Sequence, residues 1–263
     1  MKLRVTRVDL LVIAALAFCL GIVSCQKKAK GDDVEPPGAP SPVELRIKHL
    51  AGPFRNLVLD SSYPVTIGTP TFVKIKTFKY YISNVQLTNA KTNEVVKVAD
   101  TYFLIDHANA TSMKPQFMLP AGEYYNLSFI IGIDHARNMN GPHTGQLDPA
   151  LGMYWNATDG HIMAKMEGTS PASTQPGNAF SFHVGGTKDP FSVLGTRSFK
   201  LGGNISVQAS RKTVIELSAD ALTWFNNPNA ISVNTNCTGP GDLSKKISEN
   251  YYKMFDFISV KFE

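Results

Sequence analysis

The chain has 263 residues, of which 43% are hydrophobic, and 26 Lys and Arg against 21 Asp and Glu give a formal charge of +5. Part of that charge lies in the first thirty residues, and no basic run interleaved with aromatics follows, so the charge does not point to nucleic acid. Of Cys19, Cys25 and Cys237, one alone lies beyond residue 25, which leaves no internal disulfide and no CxxC zinc pattern in the body.

Lys2, Arg4 and Arg7 precede an apolar run from Leu10 to Val23, short for a membrane span. The run ends in Ile22-Val23-Ser24-Cys25, which resembles the bacterial lipobox. The resemblance implies a signal peptide over residues 1–24 and a lipid on Cys25, hence a lipoprotein held to a membrane. Gln26, in place of the aspartate that favours inner-membrane retention, points to the outer membrane, facing either the periplasm or the cell surface. Residues 25–42 carry Lys, Gly, Asp and Pro with almost nothing apolar, and read as a flexible tether. One domain is expected over residues 43–263.

That domain is patterned at period two. Val43, Leu45, Ile47 and His49 share one face of a strand, and Glu44, Arg46 and Lys48 the other. Further strands are expected at 72–76, 78–87, 94–98, 102–105, 124–131, 161–167, 179–184, 198–201, 205–209 and 213–217. They are rich in β-branched and aromatic residues and separated by Gly, Pro, Asn and Asp. The reading is an all-β fold, an antiparallel sandwich or partly open barrel, with short helices near 218–225, capped by Ser218, and 243–254.

The segment from Gly132 to Gly160 lacks regular periodicity, and long ordered loops are usually functional. Six histidines occur: His49, His107, His135, His143, His161 and His183. No HExxH, GxSxG or phosphate-loop pattern accompanies them. Asp134, His135 and His143 can be drawn as an acid–base set, but chance places such residues in any polar loop, and no enzyme is expected. His49 falls on the apolar phase of its strand, where a neutral imidazole needs a buried partner or a metal. His161 and His183 also sit on strands, which supply the rigidity a metal site needs.

Four stretches resemble, in order and spacing, the MbnP-like family of exported copper-binding proteins. They are Phe78-Lys79-Tyr80-Tyr81-Ile82-Ser83-Asn84-Val85-Gln86-Leu87; Gly132-Ile133-Asp134 with Gly145-Gln146-Leu147-Asp148-Pro149; Gly152-Met153-Tyr154-Trp155 continuing to Lys165-Met166-Glu167-Gly168; and Phe182-His183-Val184-Gly185-Gly186. The resemblance implies a β-sandwich that binds one copper through histidines beside an oxidised tryptophan. Carried over by position, His183 and His49 are ligands, Trp155 is the aromatic, and His161 stands where an aromatic is more usual. Where the family often has Trp-X-Trp, Trp155 is followed by Asn156 and Ala157. Asp134 or Asp148 could orient a ligand imidazole, although a turn role is the simpler reading of Asp134. Met153 and Met163 read as packing residues. Copper acquisition, storage or delivery is the implied function, with a di-haem peroxidase-like protein as partner. The alternative is a metal-free surface module that binds protein or glycan through exposed aromatics.

Overall fold

A computed structural model describes residues 38–263 apart from Phe54 and Pro142. The expected signal peptide, Cys25 and the tether as far as Pro37 lie outside the described residues. In chain order the elements are β1 (Gly38–Leu50), β2 (Ser62–Ile67), β3 (Thr69–Asn89), β4 (Val95–Lys97), β5 (Tyr102–Asp106), β6 (Gln116–Ile131), α1 (His135–Asn140), β7 (Tyr154–Asn156), β8 (Gly160–His161), β9 (Ala164–Thr169), β10 (Ala179–Val184), β11 (Gly195–Val207), β12 (Thr213–Asp220), α2 (Asp242–Tyr251) and β13 (Phe255–Phe262).

The strands form the two layers of an all-β sandwich. One layer joins β1, β12 and β13 to the first half of β6; the other runs β11, β6, β3, β9, β10, with β2, β4 and β5 also on β3. β6 serves both. Gln116–Ala121 pairs with β1, and from Gly122 onward the strand pairs with β11 and then β3. Pro120, which has no amide hydrogen for a ladder, lies at the crossing. All pairings are antiparallel except β1 with β12, which run parallel from Val43↔Thr213 to Leu50↔Asp220.

Three local expectations shift. β1 begins at Gly38, inside the stretch read as tether, because Gly38–Pro42 pair with Met118–Ala121. The two strands expected at 72–76 and 78–87 are one, β3, with a register irregularity between Ile75 and Thr77 that keeps both sides facing the core. Ser218 belongs to β12 and caps nothing; the expected helix is a 3₁₀ turn, Ala221–Phe225, whose Leu222 amide donates to the Asp220 carboxylate at 3.0 Å. The C-terminal helix forms as α2.

Leu45, Ile215 and Leu217 of one layer and Phe78, Tyr80, Met166 and Phe182 of the other belong to one buried cluster. Each contributes about 1.5–3 kcal/mol by leaving water. Trp224, fully buried, packs edge-on to Phe78 and against Tyr251 of α2.

The outward face of the β1 layer is ionic. Glu44, only 2% exposed, accepts from Arg46 at 2.8 Å and from Gln116 and Lys212, each at 3.1 Å. Burial alone would raise its pKa; the Arg46 and Lys212 bonds overcome this and lower it. Its contribution to stability is therefore full above the ordinary carboxylate range and is lost as pH falls through the lowered folded value. Glu44→Gln should cost about 2 kcal/mol near neutral pH, and the difference in melting temperature from the parent should shrink towards zero in strong acid. A difference that stays constant with pH would assign the loss to packing.

Candidate metal centre

The register across β3, β9 and β10 places Lys79, Lys165 and His183 in one row and Tyr80, Ala164 and Val184 in the next. Paired residues share a face of a sheet and consecutive ones do not. The Tyr80 row faces the core and is fully buried, whereas the His183 row faces outward and is half-buried.

His49, near the end of β1, is 4% exposed and lies on the inner side. Its Nε2 is 2.7 Å from the Tyr80 hydroxyl, and its Nδ1 is 2.9 Å from Nδ1 of His107. Phe78 packs edge-on against its ring, and the two imidazoles stack at 5.1 Å. His107 follows β5 and is fixed by its own amide, which donates to the Phe78 carbonyl at 3.0 Å. One Nδ1 of the pair carries a proton and the other a lone pair; where the Tyr80 hydroxyl donates to His49 Nε2, that proton is on His49 Nδ1. Burial and then the neighbouring His107 hold the His49 pKa well below the imidazole range; burial also lowers His107, against the opposing pull of Asp106. Burial drives the Tyr80 phenol well above its usual pKa.

His183 has different company. Its Nε2 is 2.7 Å from Glu167 and 3.1 Å from the Ser181 hydroxyl. Burial would raise the Glu167 pKa, but bonds from His183 and Thr77 and the charge of Lys165 lower it. The imidazole therefore donates from Nε2 to a carboxylate, and Nδ1 has no hydrogen-bond partner among the described residues. Ser181 and Glu167 address the same nitrogen, so the three do not form a nucleophile–base–acid relay, which needs one on each ring nitrogen.

His161 is fully buried in a third place. Its Nδ1 faces Asn138 Oδ1 and its Nε2 the Leu147 carbonyl, each at 3.0 Å. Its pKa is lowered by burial first, then by His143 and Arg137, against the Leu147 bond. Both nitrogens lie within hydrogen-bond distance of an oxygen, and the residue ties the long loop to β8. The two faces of the β3–β9–β10 sheet thus separate His49 from His183, and the expected set of His49, His183 and His161 does not assemble. Among the described residues no group of three or more His, Cys, Asp or Glu is placed to hold a metal.

The other candidates are placed as follows. Asp134 caps α1 through the Arg137 amide and accepts from Tyr102 at 2.6 Å and Asn84 at 3.1 Å, so no histidine is oriented by it. Asp148, exposed, caps a 3₁₀ turn through the Ala150 amide at 2.8 Å. Met153 and Met163 are fully buried packing residues. Cys237 is buried against the Ser244 hydroxyl at 3.0 Å. The half-buried Trp155 ring covers Gly185, two residues from His183 on the same face of the chain, where an added Cβ would lie 2.5 Å from the ring.

Two imidazole nitrogens face each other at His49 and His107, whereas His143 meets His161 edge-on with ring centroids 4.7 Å apart. Two metal–imidazole bonds of about 2.0–2.1 Å each need nitrogens about 4 Å apart, so a linear ion fits if the rings part by about 1 Å. His49 is buried, so such a parting would fall on the half-buried His107 side chain. Imidazole suits copper in either common oxidation state.

The family model described as MbnP matches residues 40–242. Among solved structures, MbnP from Methylosinus trichosporium matches with a TM-score of 0.54 at 16% identity, over 78% of this chain and 83% of that one. At that identity the likeness is one of fold. No curated protein matches.

Gly185→Ala should displace Trp155, because the added methyl meets the ring edge at 2.5 Å before it meets the His161 carbonyl at 3.0 Å. The expected result is a red-shifted tryptophan emission with a melting temperature lowered by a few degrees. An unchanged spectrum would show that the ring does not rest on Gly185.

Proposed function

Because this chain belongs to the MbnP family, we propose that it is an extracytoplasmic copper-binding protein, without catalytic turnover, that holds its ion between His49 and His107. The observation that carries this reading is the 2.9 Å approach of their two Nδ1 atoms. For His49 Nδ1 to take copper as a neutral imidazole, its proton would sit on Nε2 and be donated to the Tyr80 oxygen. Tyr80 and Phe78 wall the site on the His49 side, and the aromatic surroundings limit access by water. Two imidazoles in line, with little room for further ligands, suit Cu(I). Both must be neutral to bind, and burial favours that form in each. A lipid on Cys25 would keep the chain at the membrane, where exported copper is met; Cys25→Ser should release it into the soluble fraction.

His183 supports a second reading, because a carboxylate on one imidazole nitrogen with the other free is a common arrangement around metal ligands. The two readings separate in one experiment. Cu(I) titration of the purified chain against a chromophoric chelator should give one site, with affinity falling at least a hundredfold in His49→Ala and in His107→Ala. His183→Ala should leave it unchanged. Loss of the site in His183→Ala with His107→Ala unaffected would overturn the assignment and move the metal to the outer face.

A further inference from the structure

A cleft of about 360 Å³ opens at the other end of the sheet, away from every histidine discussed above. Its floor is a row of side chains across three strands: Ser62 of β2 pairs with Lys74 of β3, which pairs with Thr169 of β9. The three therefore stand side by side on one face, at the spacing of neighbouring strands. Phe72 lies two residues from Lys74 on the same face and is 53% exposed, while Val73 and Ile75 between and beyond them are fully buried. The loop after β9 raises the opposite wall, with Ser170 and Asn178. That wall is built: the Ser170 amide donates to the Asn178 carbonyl at 2.9 Å, and the Asn178 side chain donates to Ser173 at 2.9 Å.

Among the described residues, the side chains of Ser62, Lys74 and Thr169 have no hydrogen-bond or ion-pair partner. Hydroxyls and an ammonium thus point into a walled space beside a bare aromatic face. No carboxylate lines it, so Lys74 is the only charge. An aromatic face suits the C–H face of a pyranose, hydroxyl and amide groups suit its hydroxyls, and a single lysine adds one place for an anion. The volume lies within the range of small-molecule sites.

We propose that this cleft binds a carboxylated sugar, a hexuronate ring or the end of a chain containing one, with the ring on Phe72 and the carboxylate at Lys74. The cleft is solvent-open, so the affinity of a single ring is weak, and glycan binding of this kind would be separate from copper.

The test is a chemical-shift titration of the isotope-labelled chain with glucuronate, glucose and acetate. Glucuronate should perturb the resonances of Phe72, Lys74 and Thr169, and should bind about fivefold more tightly than glucose, the value of one exposed ion pair. Lys74→Met should remove that preference while leaving glucose binding in place. Phe72→Ala should weaken both sugars about tenfold, as expected for loss of a stacking partner. Perturbation by acetate as strong as that by glucuronate would reduce the site to an anion contact and overturn the proposal. So would a wild-type chain that does not prefer glucuronate to glucose, or one whose cleft resonances do not move.

Discussion

The alternation of side chains across a β-strand governs which histidines can meet. In the β3–β9–β10 sheet one residue step reverses the direction of a side chain, and the register carries that reversal through three strands. His183 shares a row with Lys165 and Lys79, so it faces outward; His49 is bonded to Tyr80 in the adjacent row, so it is on the core side. No loop motion brings the two to one ion without crossing the sheet. The β3–β9–β10 sheet therefore separates two histidine environments: an inner one that is buried and paired, and an outer one that is half-buried and tied to a carboxylate.

The inner environment explains why polar groups are tolerated in this core. A lone imidazole at the depth of His49 would leave two polar nitrogens unsatisfied, at a cost of roughly 1–3 kcal/mol each. Tyr80 meets one nitrogen and His107 the other, and the hydroxyl of Tyr80 finds its own partner in the same step. The network is complete without metal, so the fold does not depend on one. On the proposed reading, metal binding would be an exchange for a hydrogen bond already present, so it would be weaker than at a site held open.

Much of the fold was legible. The period-two pattern of Val43, Leu45, Ile47 and His49 identified β1 and its buried face, and the apolar phase of His49 marked it as a residue in need of a partner. Less legible were features decided by pairing. Gly38–Pro42 looks like tether because proline and glycine disfavour strands, yet an antiparallel neighbour in β6 supplies the ladder. Thr77 looks like a break in β3, although a register irregularity passes through it. The role of Asp134 was legible as a turn residue, since its carboxylate is placed three residues before the amide it caps. The pairing of His107 with His49 was not legible. His107 follows β5, its neighbours are polar, and only the pairing of Asp106 with Lys79 carries it to His49. A signal was present in hindsight, for Phe78 and Tyr80 on an inner face predict that whatever follows their partner strand will cap that end of the core.

The long loop between β6 and β8 illustrates how function and support can be confused in a sequence. It holds His135, His143, Asp134, Asp148 and Trp155, the densest run of chemically useful side chains in the body. Yet the hydrogen bonds there are spent on the loop itself: Asp134 on α1, Asp148 on a 3₁₀ turn, His143 on the Asn138 carbonyl, and His161 on Asn138 and Leu147. A segment this long with little regular structure must satisfy its backbone with side chains, so polar residues accumulate for structural reasons. His49 and His107 lie elsewhere, where regular strands have already met the backbone's needs and the imidazoles are left to bond each other, Tyr80 and the Leu57 backbone.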